Sequence, residues 1–217
     1  MLLLLAEELA LLAIDPATGR HGSGDRDPLN AALAGLLVAE LVIEGRARFV
    51  DDASRAERMA TTTAGPPSSP ALAAAQAVLD DRGPKLKPVL RAMSRGLDQQ
   101  LGTGTWDTAV AGLVAAGKVS TPAGSVRPRV EVLDIAEREL LLARLRDAAA
   151  GEGPLDDRTA ALLNATGPAR LLELVAPDRA GRRHARRRID HLLDGTPLGA
   201  IGTAVRKVIE EDATAAT

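Results

Sequence analysis

The sequence predicts a mainly α, single compact domain, in which helices surround one buried central helix and one or two small β-hairpins complete the fold. Three observations carry this. From Leu29 to Ile43 only Asn30 and Glu40 are strongly polar, and a helix that is apolar all round belongs inside a core. Elsewhere apolar residues recur mostly at helical spacing. Extended signals are short and sit close to glycines. The 217 residues suffice for one core that buries roughly 70% of the unfolded surface. The domain is expected to span residues 1–211, with 212–217 a loose tail.

In chain order, Leu2 to Ile14 reads as an amphipathic helix with Glu7 and Glu8 on its wet side, stopped by Asp15-Pro16. The leucine run lacks a basic leader and is interrupted by those glutamates, so it does not read as a targeting segment, and a cytoplasmic protein is expected. A polar, glycine-rich loop with Arg20, His21 and Arg26 leads to the central helix. A membrane span needs roughly 20 apolar residues, whereas Glu44, Arg46 and Arg48 end this run early. Gly45 supplies the C-terminal stop, and Arg46 to Val50 alternates as a strand, with Arg58 to Thr63 returning beside it. The break at Gly65 to Pro70 precedes helices over Ala71 to Asp80 and Lys85 to Arg95. Thr105 is placed as the N-cap of a helix from Trp106 to Ala116. Lys118 to Thr121 and Val126 to Val132 form a hairpin whose second strand contains Pro128 and so keeps an edge free of one ladder bond. Helices follow over Ile135 to Ala150, Asp156 to Ala165, Pro168 to Val175, Asp178 to Leu193 and Leu198 to Glu211.

Composition excludes several functions. No cysteine is present, so neither a disulfide framework nor a thiolate zinc site can form. Three scattered histidines do not suggest a metal centre. Basic and acidic residues nearly balance, 27 against 29, which argues against a general nucleic-acid binder. Aromatic residues make up 1% of the chain, removing base-stacking platforms. No HExxH, GxSxG or phosphate-loop pattern is present, and no cofactor, metal or catalytic residue is expected. The pattern Leu101-Gly-Thr-Gly-Thr-Trp106 could present backbone N–H groups to a phosphate, but without a preceding strand it is better read as a turn.

The sharpest local feature is Asp178 to Asp194. Arg179, Arg182, Arg183, Arg186, Arg187 and Arg188 crowd one helix whose apolar stripe is only Ala185, Ile189 and Leu192. Such a face suits anionic lipid head groups, at about 1 kcal/mol per basic residue near a charged leaflet. It also suits a solvated helix paired with acids elsewhere. Trp106, the sole tryptophan, is either a core residue or an interfacial anchor. The apolar helix, glycine and strand succession occurs twice, around Gly45 and around Gly117, and that is also the outline of a winged-helix DNA reader.

Taken together, LLLLAEELALLAID, LNAALAGLLVAELVIEGRARF, LVAAGKVSTP, DDRTAALLNATG and RRRIDHLLDG resemble, in order, the Golgi phosphoprotein 3 family and its actinobacterial members. The resemblance runs from Leu2 to about Glu211, and its most specific parts are Glu7-Glu8 and Ala39 to Arg46. It implies a helical domain around a buried helix. It also implies a non-enzymatic, peripheral membrane protein, since the eukaryotic relatives bind phosphatidylinositol 4-phosphate as trafficking adaptors. Their hairpin serves oligomerisation and membrane contact, and Lys118, Val119, Val126, Arg127, Arg129 and Val130 are the matching hairpin positions. The lipid-pocket tryptophan and arginines of those relatives fall near Asp25, Ala34, Thr103 and Trp106, none of which keeps its residue type.

The expected function is binding of anionic membrane lipid, phosphoinositide-like in head group, at the inner face of a membrane. Arg20, Arg26, Trp106, Arg182, Arg183, Arg186 and Arg187 are the candidate lipid and phosphate contacts, with a homo-oligomer formed through the hairpin and no nucleic acid bound. The alternatives are a winged-helix-like DNA-binding regulator and a protein-interaction domain that binds no lipid.

Overall fold

A computed structural model of the chain describes residues 2–21, 26–50, 58–62, 65–96, 104–122 and 129–215, and at residue 26 the backbone only. It begins with α1 (Leu5–Ala13) and α2 (Arg26–Ile43), followed by an antiparallel pair, β1 (Ala47–Phe49) and β2 (Met59–Thr61). Then come α3 (Pro70–Arg82), α4 (Leu86–Arg95) and α5 (Thr105–Ala115). A second antiparallel pair, β3 (Val119–Ser120) and β4 (Glu131–Val132), follows them. The rest is helical: α6 (Ile135–Ala150), α7 (Asp157–Thr166), α8 (Leu172–Val175), α9 (Arg179–Leu193) and α10 (Pro197–Ala215). The fold is mainly α with two small hairpins.

The apolar run over 29–43 forms the centre of α2, which packs against α1, α3, α4, α5, α7 and α10. Leu29, Leu33, Ala34, Val38 and Leu41 are fully excluded from solvent. The helix ends where glycine allows it. Gly45 takes φ +70°, its N–H donates to the Val42 carbonyl at 3.0 Å, and the Arg46 N–H reaches back to the Leu41 carbonyl at 2.7 Å. That double closure is the Schellman stop, and it turns the chain directly into β1. The buried Arg46 guanidinium then pairs with Glu44 at 2.7 Å and donates to the Gly65 and Pro66 carbonyls, tying the loop before α3 to the end of α2.

Four local expectations are corrected. All nine residues of α1 are buried, so Glu7 and Glu8 do not face water. The N-cap of α5 is Gly104 and not Thr105; the Thr105 hydroxyl donates to the Met93 carbonyl at 2.6 Å, joining α5 to α4. The helix expected over Pro168 to Val175 shrinks to α8, because Arg170 takes φ +60° and the Leu171 N–H closes on the Thr166 carbonyl at 2.8 Å. This is the stop seen at Gly45, made without a glycine. Finally, α10 runs to Ala215, past the boundary composition suggested at 211, and Asp212 pairs with Arg91 at 3.0 Å. Residues 216–217 lie outside the described residues.

Candidate functional sites

Three places gather polar chemistry. The first lies where α2 and α5 begin. Asn30 accepts the Trp106 N–H on its side-chain oxygen at 2.9 Å, so a residue of one helix caps the other. Trp106 is 4% exposed and meets the His21 ring edge-on at 5.7 Å between centroids, so it is a core residue. Ala34 lies deeper on α2 and is fully buried. The loop after α1 is pinned to the second hairpin by the Val130 N–H, which donates to the Gly19 carbonyl at 2.9 Å. Arg20 and Arg129 are exposed beside this junction. The side chain of Arg26 lies outside the described residues, as do Val126, Arg127 and the hairpin tip. Of the remaining hairpin positions, Val119 and Val130 are buried in the core. Lys118 bonds to Glu137 and to Asp134, the latter at 3.0 Å. Its hydrogen bonds to Glu137 and Asp134 raise the Lys118 pKa, which keeps it charged and holds the start of α6 to β3.

The second place is α9. Asp178 caps it by accepting the Gly181 N–H at 2.8 Å. Ala185, Ile189 and Leu193 form its buried stripe, with Leu193 taking the place expected for Leu192. The arginines divide into two classes. Arg182 donates to the Ala176 and Pro177 carbonyls. Arg188 donates to the Ala148 carbonyl at 2.8 Å and to Gly153, fastening α9 to the end of α6. Arg179, Arg183, Arg186 and Arg187 are exposed and bond to no other described residue. Arg20 is not brought to this face. Arg138, near the start of α6, contacts Leu12 beside the Arg20 loop, whereas α9 is fastened at Ala148, ten positions and about 15 Å further along the helix.

The third place was not legible as a site. Glu7 and Glu8 of α1 and Glu40 of α2 are 7%, 7% and 4% exposed and lie within electrostatic reach of one another. Glu7 accepts the Leu4 N–H at 2.9 Å, closing the N-terminus of its own helix as the acidic half of a capping box does. Glu8 pairs with Arg144 of α6 at 2.9 Å, and Glu40 pairs with Arg158 of α7. Arg158 also donates to the Leu3 carbonyl at 2.8 Å. Burial raises the pKa of Glu7, with repulsion from Glu40 and Glu8 adding to it and the Leu4 N–H opposing it. Burial likewise raises that of Glu8, opposed by Arg144 and Arg158. Every one of these carboxylates is engaged by a neighbour inside the fold, so the cluster locks α1, α2, α6 and α7 together rather than presenting an acid or base to a substrate.

Among the described residues no group of three His, Cys, Asp or Glu side chains could hold a metal ion. No helix among them is long and apolar enough to cross a membrane. A family model described as Golgi phosphoprotein 3 (GPP34) matches residues 5–211, nearly the whole chain. No curated protein matches the chain.

Proposed function

We propose a non-enzymatic role at an anionic membrane surface for this chain, which belongs to the Golgi phosphoprotein 3 family. The observation that carries the reading is the division of the α9 arginines. Two are spent on carbonyls that brace the helix, while Arg179, Arg183, Arg186 and Arg187 stand exposed with no described partner. A rigid helix holding four guanidinium groups outward meets a layer of lipid phosphates without first ordering a loop. Each group contributes about 1 kcal/mol beside a charged leaflet, and guanidinium forks onto phosphate oxygens. The binding is therefore to surface charge, at the inner face of a membrane. The full burial of Ala34, where the family's phosphoinositide pocket in eukaryotes carries an arginine, favours this over a head-group-specific pocket.

A second reading rests on Arg20 and Arg129, exposed around the Trp106 end where the loop and hairpin meet. There a phosphorylated head group would be held between loop and hairpin, and the hairpin would also carry self-association. Co-sedimentation with vesicles of neutral or anionic lipid, at low and high salt, tests the primary reading. Binding to anionic vesicles alone, weakened by salt, supports it. Equal partition onto both vesicle types, or onto neither, ends it. Loss of binding in an Arg20→Gln, Arg129→Gln chain but not in an Arg183→Gln, Arg186→Gln, Arg187→Gln chain would move the contact to the second surface.

A further inference from the structure

A cleft of about 690 Å³ opens between the start of α4, the end of α9 and the length of α10. We infer that it is a binding site for a compact phosphate monoester carrying a hydroxylated body, such as a sugar phosphate. Charge is the first argument. The lining holds five basic side chains, Lys85, Lys87, Arg91, Arg206 and Lys207, and three acidic ones, Asp190, Asp194 and Glu211. That leaves an excess of two positive charges in the lining, cut to one by Asp212, which pairs with Arg91 at 3.0 Å from outside it, so the wall stays net positive toward a phosphate monoester, which carries about −1.5 to −2 at neutral pH.

The cations are also arranged as if for an anion. Lys85 stands at the N-cap position of α4, no side chain caps that end, and its first turn holds no acid. Two lysines at the positive end of a helix dipole oppose it, and a bound anion relieves both conflicts. The site already accepts one internal anion: Glu211 bridges Lys87 at 2.7 Å and Arg91. Lys85 and Lys207 remain exposed, and Arg206 is oriented by the Thr203 hydroxyl at 3.1 Å and the Asn164 oxygen at 3.4 Å.

The neutral part of the wall selects the body of the ligand. No aromatic residue lines the cleft, so a nucleobase finds no stacking face, whereas the exposed Thr203 hydroxyl, which accepts from Arg206, keeps its proton for a ligand hydroxyl. The volume falls within the range of roughly 300–1,000 Å³ usual for small-ligand sites.

Isothermal titration calorimetry of the full chain with glucose 6-phosphate, glucose and inorganic phosphate tests this, with vesicles containing phosphatidic acid as the lipid source of the same monoester. Saturable binding of glucose 6-phosphate, weakened about tenfold or more in a Lys85→Gln, Lys207→Gln chain and unchanged by Arg48→Gln, supports the site. Both lysines are exposed, and equal thermal melting of the variant shows that folding is not the cause of the loss. Binding confined to phosphatidic acid vesicles, or inorganic phosphate bound as tightly as glucose 6-phosphate, overturns it, since neither probe carries a hydroxylated body. No saturable binding of any of these probes, or binding that survives loss of both lysines, overturns it. This outcome is independent of the α9 surface, since the cleft lysines and the exposed arginines are changed separately.

Discussion

The buried carboxylate of Glu40 accepts the main-chain N–H of Leu5 at 2.7 Å, joining the last turn of the central helix to the first residue of α1. Its other oxygen takes Arg158. Replacing Glu40 by Ala leaves a helix-starting N–H without its acceptor and the Arg158 guanidinium without its buried partner, though still on the Leu3 carbonyl, a loss on the order of 3 kcal/mol for a broken buried pair. Glu40→Gln keeps an acceptor for Leu5 and is expected to lose less. Urea unfolding of the two variants beside the parent chain measures the difference, and equal midpoints for both would show that charge rather than the hydrogen bond governs the position.

The same cluster sets a pH dependence. Glu7 and Glu8 have pKa values raised above 4.5 by burial, so the folded state binds more protons than the unfolded chain as pH rises past that value. Stability contributed by their protonated forms is full below 4.5 and is lost as pH climbs through the raised values. The helix-capping Asp134 and Asp178 run oppositely. Backbone N–H donors, from Glu137 and from Gly181, lower both below 3.8. Their contribution is present above 3.8 and lost as pH falls through the lowered values. Thermal melting is therefore expected to peak in mildly acidic buffer and decline toward neutrality. Glu7→Gln should flatten the decline on the neutral side only; a variant with an unchanged profile would remove Glu7 as its source.

Close approach of α2 and α10 gives a packing test. A Cβ added at Gly35 would lie 2.6 Å from Val205 Cγ2, well inside contact, and both residues sit in the core. Gly35→Ala should cost about 1–3 kcal/mol by overpacking. Val205→Ala alone removes buried methyl groups and also destabilises. The double variant should recover part of the combined loss, because the new methyl enters the space the old ones vacate. Additive effects in a double-mutant cycle would mean that the two positions do not share that space.

How far the sequence disclosed this molecule depended on what sort of neighbour decided each feature. Where the deciding partners lie within one turn, the pattern sufficed: the apolar run with Gly45 placed the central helix and its stop, and Asp178 placed the start of α9. Where the partner lies far along the chain, the pattern misled. Thr105 looked like a cap, but the cap comes from Asn30, 76 positions earlier. Glu7-Glu8 looked solvent-facing because nothing nearby in sequence announces Arg144 or Arg158. Arg170 in left-handed backbone carried no signal, since glycine is the residue that advertises such a stop. The arginine cluster was visible, yet its split into braces and free groups required knowing where the Ala148 and Pro177 carbonyls point.

That split yields the last prediction, because the two classes of arginine on one helix should fail differently. Arg188 lies half-buried with its guanidinium on the Ala148 and Gly153 carbonyls, so Arg188→Gln removes charged hydrogen bonds worth about 1.5–3 kcal/mol each when lost. It should lower the unfolding midpoint. Its effect on anionic vesicle binding should be small once measurements are made well below that midpoint. Arg186 and Arg187 bond to no other described residue, and surface changes of this kind stay within about 0.5 kcal/mol. Arg186→Gln with Arg187→Gln should therefore leave the midpoint in place and weaken vesicle binding by about 2 kcal/mol, roughly 30-fold at low salt. Salt should shrink the difference between the double variant and the parent, since exposed charge is screened within about a Debye length. Co-sedimentation and urea unfolding on both variants read the two effects separately. Parallel losses in both assays would mean that α9 arginines act on the membrane only through the fold.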